Sequence, residues 1–217
     1  MNNISYTGVI DIGSNSIRLV IYEHFGGSYR VVSEHKNAAR LSERIGQDGL
    51  MKMQDILSIV PTLSHYATLC RSYKVTDMRV VATAAIRNAG NSQEIVRVLD
   101  EHTGLQIEVL SGEEEARYGF LGVINTIDIQ DGLIIDIGGG STEVTLFRDR
   151  MLVYSHSFPF GAVNTARQYI SSGALLKRSS SKFARWYKMR LPFTLGYNQL
   201  RDFLWSDLAG RSVHSVK

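Results

Sequence analysis

The sequence has a single cysteine, Cys70, in 217 residues. One cysteine cannot close a disulfide within the chain, which excludes a disulfide-stapled secreted scaffold and predicts a reducing, cytoplasmic compartment. No apolar run approaches the length of a membrane span, and the residues before the first expected strand, Met1 to Ser5, are few and polar. Neither export nor a membrane partner is therefore expected. Short-period repeats are absent too. Acidic residues are scarce at one end only. Residues 171–217 hold two of them, Asp202 and Asp207, against nine Lys and Arg, a net of +7, whereas residues 1–170 hold 15 Lys and Arg against 19 Asp and Glu, a net of −4. The overall +3 thus belongs to the tail, and no nucleic-acid partner is expected from it. With 44% hydrophobic and 21% charged residues, the rest is ordinary for one large globular domain or two small ones.

Two related glycine-bearing turns stand out instead, about 125 residues apart: Asp11-Ile12-Gly13-Ser14-Asn15-Ser16 and Asp136-Ile137-Gly138-Gly139-Gly140-Ser141-Thr142-Glu143. Each follows an apolar run and precedes another β-rich run, so each reads as a strand, a tight turn and a returning strand. Two such hairpins can face each other across a cleft and hold a phosphate chain between them. Gly13 permits positive φ, and Ser14, Asn15 and Ser16 place side-chain donors beside backbone N–H groups, a concave anion site. Three consecutive glycines carry a high entropy cost and suit a backbone that a ligand must approach closely. Asp11 and Asp136 would repel phosphate unless a divalent cation lay between, which implies Mg²⁺.

Between the turns, Tyr6–Asp11, Ser16–Tyr22 and Ser28–Ser33 predict a three-stranded antiparallel start. Helical spacing runs from Met51 to Tyr73, where Pro61 should kink or split the helix. A short buried strand is expected at Met78–Thr83. A helix follows at Asn91–His102, with Asn91 as a candidate cap and Gly104 as its end. Leu105–Leu110 reads as a strand, and Ser111 opens a helix to about Ile124 whose three glutamates suit the helix dipole. Met151–Phe158 is a further strand, and Gly161 starts a helix to about Ile170. Beyond it no period is sustained, apart from one short helix near 197–209. The order, βββαβαβα followed by a second hairpin, predicts two similar subdomains.

Glu113, Glu114 and Glu115 sit where a strand hands over to a helix, so a carboxylate there can orient water toward phosphorus. Arg87, also just past a strand end, can grip phosphate oxygens bidentately. With these residues the chain resembles the Ppx/GppA phosphatases, exopolyphosphatases and guanosine pentaphosphate phosphohydrolases of the actin, Hsp70 and sugar kinase superfamily. The resemblance rests on Val9–Arg18 (VIDIGSNSIR), Val80–Asn88 (VVATAAIRN), Ile107–Tyr118 (IEVLSGEEEARY), Leu133–Val144 (LIIDIGGGSTEV) and Phe158–Val163 (FPFGAV).

The resemblance implies an α/β fold with a ribonuclease-H-like subdomain at residues 1–125 and the start of a second at 126–170, while the charge and the lost periodicity leave 171–217 as a divergent basic tail. It implies that Glu115 is the catalytic base and Glu143 the second catalytic carboxylate, with Asp11, Asp136 and Glu143 toward Mg²⁺. Ser14, Asn15, Arg87, Gly138, Gly139, Gly140 and Ser141 would then hold phosphates. The implied substrate is polyphosphate or the 5′ end of guanosine pentaphosphate (pppGpp). Family members often dimerise, so a homodimer is a compatible assembly. The motifs stop near Ile170, which leads to the expectation of a truncated second subdomain with an exposed sheet surface. Two other readings remain: a small-molecule kinase of the same superfamily, and a protein that binds polyphosphate or an alarmone without turnover.

Overall fold

Alternate apolar residues build the first sheet. Ile10 and Ile12 on one strand and Ile17, Leu19 and Ile21 on the next are all buried, the period-two pattern of strands with one face on a core. The computed structural model describes residues 4–169. Two compact units divide the chain, residues 1–165 and 166–217, and the described elements lie in the first apart from the end of the last helix. The basic tail and the helix expected near 197–209 lie outside the described residues.

Strands β1 (Ser5–Ile12), β2 (Ser16–Phe25) and β3 (Ser28–Ala38) form the expected antiparallel meander. Helices α1 (Leu41–Arg44), α2 (Met53–Leu57) and α3 (Val60–Ser72) then lead to β4 (Asp77–Ala82), which pairs parallel with β1. The helix expected across Pro61 is split there: α3 takes the proline into its first turn, where a missing N–H costs nothing. α4 (Ala84–Arg87), α5 (Ser92–Thr103) and β5 (Ile107–Val109) complete a five-stranded sheet of order β3-β2-β1-β4-β5. Gly104 stops α5 in a left-handed conformation, φ 68°. Leu63, Tyr66, Ala67 and Cys70 of α3 join Ile95, Val98 and Leu99 of α5 in the core over this sheet.

One expectation fails. The Asn91 side chain does not cap α5. Its Oδ1 accepts the Met51 N–H at 3.0 Å and its Nδ2 donates to the Met51 carbonyl at 2.9 Å, so a partner 40 residues away takes both ends of the amide.

α6 (Gly112–Thr126) then leads into a second sheet, β6 (Gly132–Ile137), β7 (Thr142–Arg148) and β8 (Met151–Phe158), in that order and antiparallel throughout. α6 lies on this sheet, with Phe120 against Phe147 at 5.6 Å between ring centres. Ile135 and Ile137 of β6 are exposed, at 57% and 66%. α7 (Ala162–Tyr169) closes the described chain. No helix among the described residues is long and apolar enough to cross a membrane.

Candidate active site

The two glycine turns have the same backbone construction. In the first, Gly13 N–H donates to the Ser16 carbonyl at 3.1 Å; in the second, Gly138 N–H donates to the Ser141 carbonyl at 3.0 Å. Register follows suit. Asp11 stands opposite Arg18, and Asp136 stands opposite Glu143, so the repeat puts opposite charges at equivalent places.

The turns meet directly rather than across a gap. A Cβ on Gly140 would come within 2.6 Å of Ser14 Oγ, 3.2 Å of Ala84 Cβ and 3.4 Å of Ser42 Oγ, and one on Gly139 within 2.9 Å of Ser14 Cβ. Glycine is required here because one turn rests on the other. Ser14 is buried at this contact and Ser141 is buried within its own turn, while Asn15 is exposed and its carbonyl accepts the N–H groups of Ala39 and Arg40. Arg40 holds a left-handed backbone, φ 48°, as it turns the chain into α1, from which Ser42 N–H reaches the Ser14 carbonyl at 3.1 Å.

The second turn is also held from behind by α7. Ala162 N–H donates to the Gly138 carbonyl at 2.8 Å and Val163 N–H to that of Gly139 at 3.0 Å. These helix-end donors, orphans in an isolated helix, are spent on the loop. Asn164 reinforces the arrangement: its Oδ1 accepts from Gly161 N–H at 2.6 Å and its Nδ2 donates to the Gly140 carbonyl at 3.1 Å.

Local structure chooses among the three glutamates. Ser111 and Glu114 form a reciprocal capping box at the start of α6, which occupies Glu114. Glu113 is exposed. Glu115 turns inward, where Arg87 donates to its Oε2 at 2.7 Å and to the Leu110 carbonyl at 3.0 Å. Burial raises the Glu115 pKa above the ordinary carboxylate value; the Arg87 bond opposes the rise, and the charges of Glu143 and Asp11 add to it. Glu115, Glu143, Asp11 and Arg87 therefore share one electrostatic neighbourhood.

Glu143 is 4% exposed and accepts a hydrogen bond from Ser157 Oγ at 2.7 Å. Burial also raises the Asp11 pKa, with Arg18 acting against it. Asp11 Oδ1 is buried with no hydrogen-bond partner among the described residues. An orphan carboxylate oxygen of this kind fits a hydrated Mg²⁺, which binds through one or two carboxylates, waters and substrate phosphates rather than a full protein cage. Among the described residues no group of three or more His, Cys, Asp or Glu is placed to hold a metal ion, and Asp136 is exposed on β6. Sequence reasoning missed Ser42, Asn164 and Ser157. Asn164 and Ser157 lie beside the FPFGAV segment, but the periodicity there marks only a strand and a helix.

The Ppx/GppA phosphatase family matches residues 20–214, beyond Ile170, where the separate motifs end. Exopolyphosphatase 1 of Mycobacterium tuberculosis is 29% identical over 187 residues, 85% of this chain and 54% of that protein; the Mycobacterium leprae protein of that name is 29% identical over 187 residues, 85% of this chain and 55% of its own. The chain thus spans about half the length of these curated relatives. A crystal structure of the Aquifex aeolicus Ppx/GppA family member superposes with a TM-score of 0.72 at 28% identity, over 87% of this chain and 62% of that one. The sheet order and this superposition establish the ribonuclease-H-like fold of the actin, Hsp70 and sugar kinase superfamily. The chain belongs to the Ppx/GppA phosphatase family.

Proposed function

We propose that this chain carries the catalytic centre of a Mg²⁺-dependent phosphohydrolase that removes the terminal phosphate of inorganic polyphosphate by attack of water. The observation that carries the reading is the placement of Glu115, drawn inward at 2.7 Å from Arg87 and within the fields of Asp11 and Glu143.

Glu115 orients a water and takes its proton as the water oxygen bonds to phosphorus. The bridging P–O bond breaks, and orthophosphate leaves a chain one unit shorter. Arg87 is poised between Glu115 and an incoming phosphate, whose oxygens a guanidinium engages bidentately. Asp11, through its unpartnered Oδ1, would hold Mg²⁺ together with waters and substrate phosphates, and the ion when bound would supply charge neutralisation for the phosphoryl oxygens. The turns at Ser14–Asn15 and Gly138–Ser141 offer the surrounding donors. The 5′ end of pppGpp presents the same terminal anhydride and is the second substrate to assay.

The test is phosphate release from long-chain polyphosphate, pppGpp and ATP in parallel, with and without Mg²⁺, by the unaltered chain and by Glu115→Gln. Release from polyphosphate should require Mg²⁺ and fall by roughly 10²–10⁴-fold in Glu115→Gln while polyphosphate binding persists. Undiminished release by the variant refutes the role of Glu115. Polyphosphate binding without release identifies a binding protein, and ATP-dependent transfer to a small acceptor identifies a kinase.

A further inference from the structure

Glu143 is buried, and a buried polar side chain needs a hydrogen-bond donor to face it. Ser157 is that donor. It stands directly opposite Glu143 in the β7–β8 register, so both side chains leave the same face of the sheet, and its Oγ donates to Glu143 Oε1 at 2.7 Å.

The same serine touches a second element. A Cβ built on Gly112 would overlap Ser157 Cβ and fall 2.6 Å from Ser157 Oγ. Gly112 is the first residue of α6, and Glu115 lies three residues further on. Ser157 therefore bonds one carboxylate and abuts the helix start that presents the other. The contact with Gly112 also closes off part of the space that the hydroxyl would sweep between its rotamers, leaving it aimed at Glu143.

The geometry points to Ser157 as a positioning residue of the hydrolytic site, one that sets the Glu143 carboxylate against the first turn of α6 and so fixes its separation from Glu115. The assignment rests on the hydrolase reading above. Ser157 touches no reacting atom; it acts through Glu143.

The test compares the full chain with Ser157→Ala and Ser157→Gly in steady-state phosphate release from tripolyphosphate with Mg²⁺, alongside thermal melting of each protein. Alanine removes only the hydroxyl, and glycine leaves still more room beside Gly112. Both variants should lower kcat by roughly 10-fold or more, the usual scale for a supporting partner of a site carboxylate, with KM changed less than twofold and with a melting temperature that falls but stays well above the assay temperature. An unchanged kcat overturns the assignment, as does a raised KM at constant kcat. A loss of rate that vanishes when the proteins are compared at equal folded fraction overturns it as well, because the serine would then serve stability alone. If the unaltered chain releases no phosphate, the hydrolase reading falls and this assignment falls with it. If the unaltered chain turns over and both variants match it, the assignment alone falls.

Discussion

Glu115 sits among opposing influences, and their balance has a measurable consequence. Burial and the neighbouring charges of Glu143 and Asp11 raise its pKa, while Arg87 lowers it. A base works only when ionised, so the acidic limb of the rate profile should lie above the ordinary glutamate value of about 4.3. Arg87→Gln removes the influence that favours the ionised form, and the limb should then move to still higher pH. Measuring kcat/KM from pH 4 to 9 for both proteins checks the sign; an unmoved or lowered limb in Arg87→Gln would show that Arg87 does not act on Glu115. The sequence left three consecutive glutamates open on physical grounds, and only the family resemblance selected Glu115. The physical choice follows from a cap that occupies Glu114 and an arginine 28 positions away in sequence that draws Glu115 inward. Such partners are set by tertiary structure and leave no local periodicity to read.

At the scale of elements, the glycines differ sharply in what they are for. Gly161 lies flat against the second turn: a Cβ there would come within 2.5 Å of the Gly139 carbonyl carbon and 2.6 Å of the Gly140 nitrogen. Those are backbone atoms, so the loop or α7 must shift. Gly161→Ala should cost about 1–3 kcal/mol, as overpacking typically does, and should lower phosphate release through the displaced loop. Gly119, inside α6, has nothing within 4 Å of the corresponding position, and Gly119→Ala should instead stabilise by roughly 0.5–1 kcal/mol. Thermal melting of the two variants should show shifts of opposite sign; a destabilised Gly119→Ala or a neutral Gly161→Ala would contradict the contacts described. The hairpin character of both turns was legible from apolar runs flanking glycine. The β1–β4 pairing across some 70 residues was not, because periodicity reports which face is buried and is silent on which strand lies alongside. Asn91 failed as a cap for a similar reason, its amide being taken by Met51.

For the molecule as a whole, the repeat is the organising fact. Two copies of one hairpin, with matching Gly-to-Ser turn bonds, meet turn against turn. Because Gly140 rests on Ser14, a phosphate chain cannot thread between those two residues as they stand; it must engage the neighbouring Asp11, Glu115 and Glu143 side or spread the turns. Mg²⁺ alone should therefore stabilise little, since no three-ligand cage exists among the described residues. Mg²⁺ together with tripolyphosphate should bridge Asp11 to the phosphates and tie both turns to one ligand. A ligand at 100 times its dissociation constant adds about 2.7 kcal/mol to the native state, and a chain of this size gains about 2–4 °C per kcal/mol. Melting curves with Mg²⁺, tripolyphosphate, and both should show a rise of several degrees only for the pair, reversed by EDTA. An equal rise with Mg²⁺ alone would place the ion in a preformed protein cage, and an equal rise with tripolyphosphate alone would mean that Arg87 and the turns hold phosphate without the metal; either result would separate the site's anion recognition from its carboxylates.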